Sequence, residues 1–154
     1  MTIAILAAAT LAFLLLALAP RVLLRRSQDR LAKRVESEEG SALKLLTRAE
    51  RVAGKYRRVP GVLGLTSDAL RFRGLFGEDE LLPTLRIGKI VTGSRLSSGR
   101  RLFHLEVLRL ASTQGGELEF VLTPESASAW RSHLGLWAME ERRAAMDTVV
   151  PGRK

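Results

Sequence analysis

The chain has 154 residues, a formal net charge of +9 and no cysteine. The lack of cysteine excludes disulfide bonds and thiolate metal sites. Aromatic residues make up 5% of the sequence, and no nucleic-acid-binding module is recognisable, so the positive charge does not indicate a nucleic-acid partner. The length allows one domain of about a hundred residues beside an N-terminal segment.

The chain begins with an uncharged run at residues 2–19, TIAILAAATLAFLLLALA. At about 1.5 Å per helical residue, this run would be roughly 27 Å long, close to the thickness of a bilayer core. We therefore expect an uncleaved transmembrane anchor over residues 1–24. A cleaved signal peptide is one alternative, because Ala17-Leu18-Ala19 has a small-x-small form, although Pro20 is expected to block cleavage. A buried helix is the other alternative.

Basic residues follow the apolar run and none precedes it. They are Arg21, Arg25, Arg26, Arg30, Lys33 and Arg34. Because positive charge stays inside, the sequence predicts a single-pass protein of the inner (plasma) membrane with its C-terminal domain in the cytoplasm. The same side chains are expected to contact anionic lipids of the bilayer. The alternative is that they only fix the topology.

Residues 25–53 are expected to form a basic juxtamembrane helix and an amphipathic linker helix. A polar stretch with Gly40 predicts a break, and Ser41 is suited to cap a new helix at Ala42. Apolar residues at spacings of three and four support this second helix; they include Leu45, Leu46, Ala49, Val52 and Ala53. A coiled-coil dimer is a further alternative for this segment.

From Gly54 the apolar period changes to two, which predicts short antiparallel strands. The predicted strands are residues 59–66, 70–73, 81–86, 87–93, 102–111 and 117–122. Residues 75–80 and 96–101 are interpreted as loops, and the second of these, LSSGRR, as a flexible linker that is also basic enough to bind phosphate. Six to seven such strands indicate a small β-barrel or sandwich.

A closing helix is predicted after the last strand. Thr123 is a good N-cap, Pro124 suits the first helical position, and Glu125 favours the positive end of the helix dipole. One face of the helix is expected to point inward; it carries Ala127, Trp130, Leu134, Trp137, Ala138 and Glu141. The domain is therefore placed at residues 54–146, with a flexible tail at 147–154. The expected fold class is α+β and mainly β.

Three phrases in the predicted domain carry a resemblance to a family. They are GVLGLTSDALRFR at residues 61–73, ELLPTLRIGKI at 80–90, and Glu119 to Leu122 followed by Ala129-Trp130 and Leu134. In this order they resemble the first hairpin, the third strand and the closing helix of bacterial pleckstrin-homology-like (PH-like) and GRAM-type domains. The resemblance covers about residues 54–143. It implies an adaptor that recognises phosphoinositide head groups or a protein partner.

The resemblance also suggests where lipid or phosphate would bind. Arg71 and Arg73 fit the basic-x-basic pattern of the family's second strand, and Arg57 or Arg58 can stand for its earlier basic residue. The turn between the strands departs from the pattern, because Thr66-Ser67-Asp68 has an acid and no cation. A solvated strand face is the alternative interpretation of these arginines.

No set of residues indicates catalysis, a metal site or a cofactor. His104 and His133 fall on separate predicted elements, and the carboxylates at residues 78–80 are interpreted as a solvated loop. The expected function is thus a membrane-anchored PH-like adaptor or scaffold that binds a protein partner or the membrane surface. The alternative is an accessory or regulatory subunit of a membrane enzyme or transport complex, whose domain binds a small ligand or an anionic head group.

Overall fold

The structure, a computed structural model, describes residues 2–55 and 57–135. Helix α1, Thr2–Glu39, is continuous and contains Pro20. It ends before Gly40, which has a positive φ of 53° and begins a 3₁₀ turn, Gly40–Ala42. Glycine suits this position because the left-handed conformation costs it nothing. The helix therefore breaks near Gly40, as the sequence predicts.

Seven strands follow and form one antiparallel sheet in the order β4-β3-β2-β1-β7-β6-β5. The strands are β1 Leu45–Ala53, β2 Arg57–Leu65, β3 Ala69–Gly74, β4 Asp79–Pro83, β5 Ile87–Gly93, β6 Glu106–Ser112 and β7 Glu117–Leu122. A 3₁₀ turn, Thr84–Arg86, joins β4 to β5. Residues 124–135 form helix α2.

The inner face of the sheet packs against α2 and contains the main core. Trp130 of α2, Phe72 of β3 and Phe120 of β7 are fully buried. The two phenylalanine rings have centroids 5.5 Å apart. Trp130 donates its indole N–H to Thr47 Oγ1 at 3.0 Å, so the polar edge of this buried ring has a partner. The predicted inward position of Trp130 is confirmed, whereas Trp137, Ala138, Glu141 and the tail at 147–154 lie outside the described residues.

The outer face of the sheet is covered by two segments that are not strands. The first is the C-terminal half of α1, where Gln28 is buried and donates its side-chain N–H groups to the carbonyl oxygens of Gly61 (3.0 Å) and Ala49 (3.4 Å). The second is the loop of residues 94–105, here named the arginine loop. Its Leu96 and Leu102 are buried in a small second core. Both segments pack against the outer face of the sheet. This face carries the strand side chains that alternate with those of the main core.

The N-terminal expectation requires a correction. Among the residues that the structure describes, no helix has both the length and the apolar character needed to cross a membrane. This finding overturns the transmembrane helix over residues 1–24 as part of the fold. Helix α1 does not end with the apolar run; it continues through Pro20 into a segment with arginines and carboxylates that contacts β1 and β2.

The predicted amphipathic linker helix from Ala42 is also wrong, because residues 45–53 form β1. Leu45, Ala49 and Ala53 are four residues apart, so their spacing fits one side of a strand as well as one side of a helix. Strand β1 pairs along its full length with β2, from Leu45↔Leu65 to Ala53↔Arg57, and also with β7. These ladders outweigh the local helical pattern.

The expected barrel or sandwich is instead an open sheet. Strands β4 and β5 form its two ends. Pro83, which cannot donate a backbone hydrogen bond, ends β4, and the following 3₁₀ turn separates the two strands. The predicted strand at 102–111 begins only at Glu106, because His104 has a positive φ of 61° that breaks the extended chain. The predictions for β5 and β7 are confirmed at both ends.

Candidate functional site

Every arginine that lies on a strand forms an ion pair with a carboxylate. The pairs are Arg48 with Asp29, Arg51 with Glu80 (2.5 Å), Arg57 with Glu78 (2.5 Å), Arg58 with Glu50 (3.0 Å), Arg71 with Glu39 (2.7 Å), Arg73 with Glu38, and Arg109 with Glu117 (3.0 Å) and Glu119 (2.7 Å). The positive charge of the strand arginines is thus matched within the chain itself.

The four arginines predicted to bind lipid or phosphate belong to this paired group. Arg71 and Arg73 lie on the outer face of β3, where the last turn of α1 supplies their two carboxylates. Arg57 and Arg58, at the start of β2, bind different carboxylates on the β3–β4 turn and on β1. The structure therefore does not gather the four into one open cluster, and a phosphate would have to displace carboxylates that are already bound.

The turn between β2 and β3 is negatively charged. Thr66 donates its hydroxyl hydrogen to Asp68 Oδ1 at 2.7 Å, and it also accepts a bond from the backbone N–H of Ala69. The hydroxyl bond, a backbone bond and the charge of Arg71 together lower the pKa of Asp68, although its slight desolvation acts in the opposite direction. A carboxylate held in its charged form here disfavours an anionic ligand.

The six basic residues that follow the apolar run behave differently from the strand arginines. They are all exposed on α1: Arg21, Arg25, Arg26, Arg30, Lys33 and Arg34, named here the helix cations. In the part of the chain that the structure describes, none of them forms an ion pair. The nearby carboxylate of Asp29 is already bound to Arg48 of β1. The helix cations are therefore free to meet an external anion.

The arginine loop is a hydrogen-bonded hairpin rather than a linker without contacts. The backbone N–H of Leu96 bonds to the carbonyl of Arg100 (2.9 Å), and that of Leu102 bonds to the carbonyl of Ser94 (2.8 Å). At its tip, Gly99 has a φ of 83°, which favours glycine, and donates to the carbonyl of Leu96.

A buried carboxylate anchors this hairpin to the sheet. Glu119 of β7 is 5% exposed and accepts hydrogen bonds from the backbone N–H (2.6 Å) and hydroxyl (2.8 Å) of Ser97 and from Nε (3.0 Å) and Nη2 (2.7 Å) of Arg109. Burial raises the pKa of Glu119, but these bonds and the charge of Arg109 outweigh burial and lower it. Sequence reasoning missed this residue, because a charged residue alternating with Leu118 and Phe120 looks like a solvated strand position.

The hairpin carries its own unpaired cations. Arg95, Arg100 and Arg101 are exposed, and none of them has an ion-pair partner among the described residues. Arg95 and Arg101 form an antiparallel bridge, so their side chains start from directly opposed positions. The guanidinium carbon of Arg101 lies 5.9 Å from the ring centroid of Phe103, which is 75% exposed. This arrangement combines concentrated positive charge with an apolar ring.

The helix and the hairpin border one cavity on the outer face. It has a volume of about 310 Å³ and is lined by Arg25 and Gln28 of α1, Leu105 of the arginine loop and Thr123, with a floor from β1 and β7. The helix cations and the arginine loop therefore flank the same side of the sheet. The exposed His104 and His133 lie on separate elements, and no group of three or more metal-ligating side chains occurs within residues 2–55 and 57–135.

Comparison with known proteins relates this chain to others by fold. No protein-family model matches it, and no curated protein does so. Among solved structures, it is similar to the crystal structure of the C-terminal domain of an unknown protein from Leishmania infantum, with a TM-score of 0.51 and 14% sequence identity. The alignment covers 77% of this chain and 97% of that chain. At this level of identity, the likeness concerns the fold alone.

Proposed function

We propose that this chain is a PH-like adaptor without catalytic activity, which binds the anionic cytoplasmic surface of the inner (plasma) membrane and holds a protein partner there. The observation that carries the proposal is the separation of charge. All strand arginines are bound to carboxylates of the chain, whereas the helix cations are exposed and have no such partner among the described residues.

The energetic argument favours the helix cations over the strand arginines. A basic side chain close to an anionic leaflet contributes about 1 kcal/mol to binding. For an unpaired residue such as Arg26 or Arg30, this gain is opposed only by partial loss of hydration. For Arg71 or Arg73, the gain must first offset the loss of the bond to Glu39 or Glu38. The helix cations, and not the predicted strand set, are therefore proposed as the main membrane contact.

A second candidate function comes from the cavity between α1 and the arginine loop. A volume of about 310 Å³ accommodates a small ligand, and Arg25 on its wall, unpaired among the described residues, suits an anionic group. This would make the chain an accessory or regulatory subunit that senses a small anion or a lipid head group. Saturable binding of a soluble organic phosphate that is abolished by Arg25→Gln, with no affinity for vesicles, would favour it over the adaptor.

The adaptor proposal is tested by flotation of the full-length chain with vesicles. The vesicles contain phosphatidylcholine alone or phosphatidylcholine with about one third phosphatidylglycerol, at low and high salt. The test variant is Arg26→Gln with Arg30→Gln, and the matched control is Arg57→Gln with Arg58→Gln, which removes the same amount of charge. All variants keep residues 2–19, so the apolar run is common to every measurement.

We expect binding to require phosphatidylglycerol, to weaken at high salt, and to fall about tenfold or more in the helix variant. The control variant should stay within about twofold of the original chain, because its arginines are bound to Glu78 and Glu50. An equal loss in both variants would show that only net charge matters. That result, or no flotation of the original chain at low salt, would contradict the proposal.

A further inference from the structure

We infer that the arginine loop is a second element that contacts lipid, in which Phe103 enters the interfacial layer of an anionic bilayer while Arg95, Arg100 and Arg101 bind lipid phosphates. The inference rests on the proposed function, since both place the outer face of the sheet against the same surface. It concerns a different segment from the helix cations, separated from them in sequence by the five strands β1 to β5.

The arginine loop is held in a fixed position. Leu96 and Leu102 are buried beside Val107 and Val121, and Ser97 is bound through both its backbone N–H and its hydroxyl to the buried Glu119. In an antiparallel bridge, neighbouring side chains along a strand point to opposite sides. The burial of Leu96 and Leu102 therefore directs Arg95 and Arg101 away from the sheet.

The arginine loop concentrates like charges. Arg95 and Arg101 are directly opposed in the bridge, and like charges in this relation destabilise a strand pair. Arg100 adds a third cation on the same tip. A surface that presents several phosphates at once would relieve this repulsion. Glu117 and Glu119, which line a cavity together with Ser97 and Ser98 of the loop, are already bound to Arg109.

Phe103 adds an exposed apolar group beside these cations. Its ring is 75% exposed and lies beside the guanidinium of Arg101. A bilayer surface is the anionic ligand that also has an apolar layer directly below its phosphates, so one approach satisfies both the arginines and the ring. An acidic peptide would match the arginines alone. His104, which follows the ring, has a φ of 61°, a sparsely populated conformation that turns the chain after Phe103 back toward β6.

The chain contains a matched control for this inference. Phe76, in the turn between β3 and β4, is 76% exposed, but its neighbours Glu78 and Asp79 are acidic. Because the chain has no cysteine, Phe103→Cys and Phe76→Cys each create a single site for an environment-sensitive fluorophore such as NBD. The two labelled full-length proteins then differ only in which exposed phenylalanine position reports its surroundings.

We expect the label at position 103 to shift to shorter wavelength and to gain about twofold or more in intensity with vesicles of phosphatidylcholine and about one third phosphatidylglycerol. The label at position 76 should not respond. Adding Arg95→Gln and Arg101→Gln to the Phe103→Cys protein should abolish most of the response, while far-ultraviolet circular dichroism confirms that the fold is kept.

Other outcomes would overturn the inference. They are an equal response at both positions, no response at position 103, and a response at 103 that soluble inositol hexakisphosphate or polyglutamate produces as well as vesicles do. Flotation measured on the same samples separates the two proposals. If flotation is normal and position 103 is silent, the loop inference alone fails; if flotation itself is lost, the proposed function fails.

Discussion

Two basic regions on the outer face of the sheet use arginine in opposite ways. Under the end of α1, Arg71 and Arg73 each have a carboxylate from the helix, so the positive charges join α1 to β3. On the arginine loop, Arg95 and Arg101 oppose each other with no carboxylate partner among the described residues. Residue type and strand position therefore do not determine the role of an arginine. That role depends on whether the fold brings a carboxylate next to it.

The two regions are also attached to the sheet differently. Helix α1 is attached through half-exposed ion pairs and the buried Gln28, whereas the arginine loop is attached through the buried Glu119 and two buried leucines. Exposed ion pairs contribute little, about 0 to 1 kcal/mol each, while loss of a buried charged partner costs several times more. We therefore expect the loop to depend on one residue and the helix contact to be spread over several.

The largest effect is expected for Glu119→Ala. The change removes the acceptor of four hydrogen bonds, so Arg109 and the backbone N–H of Ser97 lose their bonds to this carboxylate. The free energy of unfolding should therefore fall by about 3 kcal/mol. Urea unfolding measures this change. The control is Glu117→Ala, which also removes a bond to Arg109 but at a half-exposed carboxylate; we expect a loss below about 1 kcal/mol. Equal losses would show that burial does not distinguish the two.

Lowering the pH should remove part of the stability that Glu119 contributes. The folded-state pKa of Glu119 is lowered, since the bonds from Arg109 and Ser97 outweigh burial. A lowered pKa contributes stability that is fully present above the unfolded carboxyl's pKa, about 4.3, and is lost as the pH falls through the folded value. The difference in unfolding free energy between the original chain and Glu119→Ala should therefore narrow as the pH falls below about 4.3. A constant difference would contradict the role given to ionised Glu119.

The contrast between these regions also marks what the sequence could predict. The apolar positions within β5, and the turn before β7 with two glycines of positive φ, Gly115 and Gly116, predict where these two strands lie. These signals are local. Strand β1 was missed because its apolar spacing fits a helix equally well, and only pairing with β2 and β7 decides between them.

The site was predictable to a similar extent. Placing Arg71 and Arg73 on one side of a strand needed only alternation. Their partners on α1 are 32 and 35 residues earlier in the chain, and Ser97 is 22 residues from Glu119. No spacing rule connects residues so far apart, because the fold creates these contacts. The sequence therefore predicts where the cations lie, but it does not predict which of them are bound to a carboxylate.

A moderate loss is expected when the helix contact is removed. Arg71→Gln with Arg73→Gln should lower the free energy of unfolding by about 1 kcal/mol in total, since both ion pairs are partly exposed. Glu38→Gln with Glu39→Gln should cause a similar loss, and combining the four changes should cost less than the sum of the two double variants. Strict additivity in urea unfolding would contradict the pairing of this region.

The smallest effect is expected on the arginine loop and has the opposite sign. Arg95→Gln with Arg101→Gln removes two like charges that oppose each other, so the free energy of unfolding should rise by about 0.2 to 1 kcal/mol at low salt. The gain should shrink at high salt, because screening already weakens the repulsion in the original chain. A salt-independent loss would mean that these arginines stabilise the fold as Arg71 and Arg73 do. The same change should weaken the response of a label at position 103 to vesicles, because Arg95 and Arg101 bind the lipid phosphates. Higher stability together with a weaker response is a combination that an arginine pair with a purely structural role would not produce.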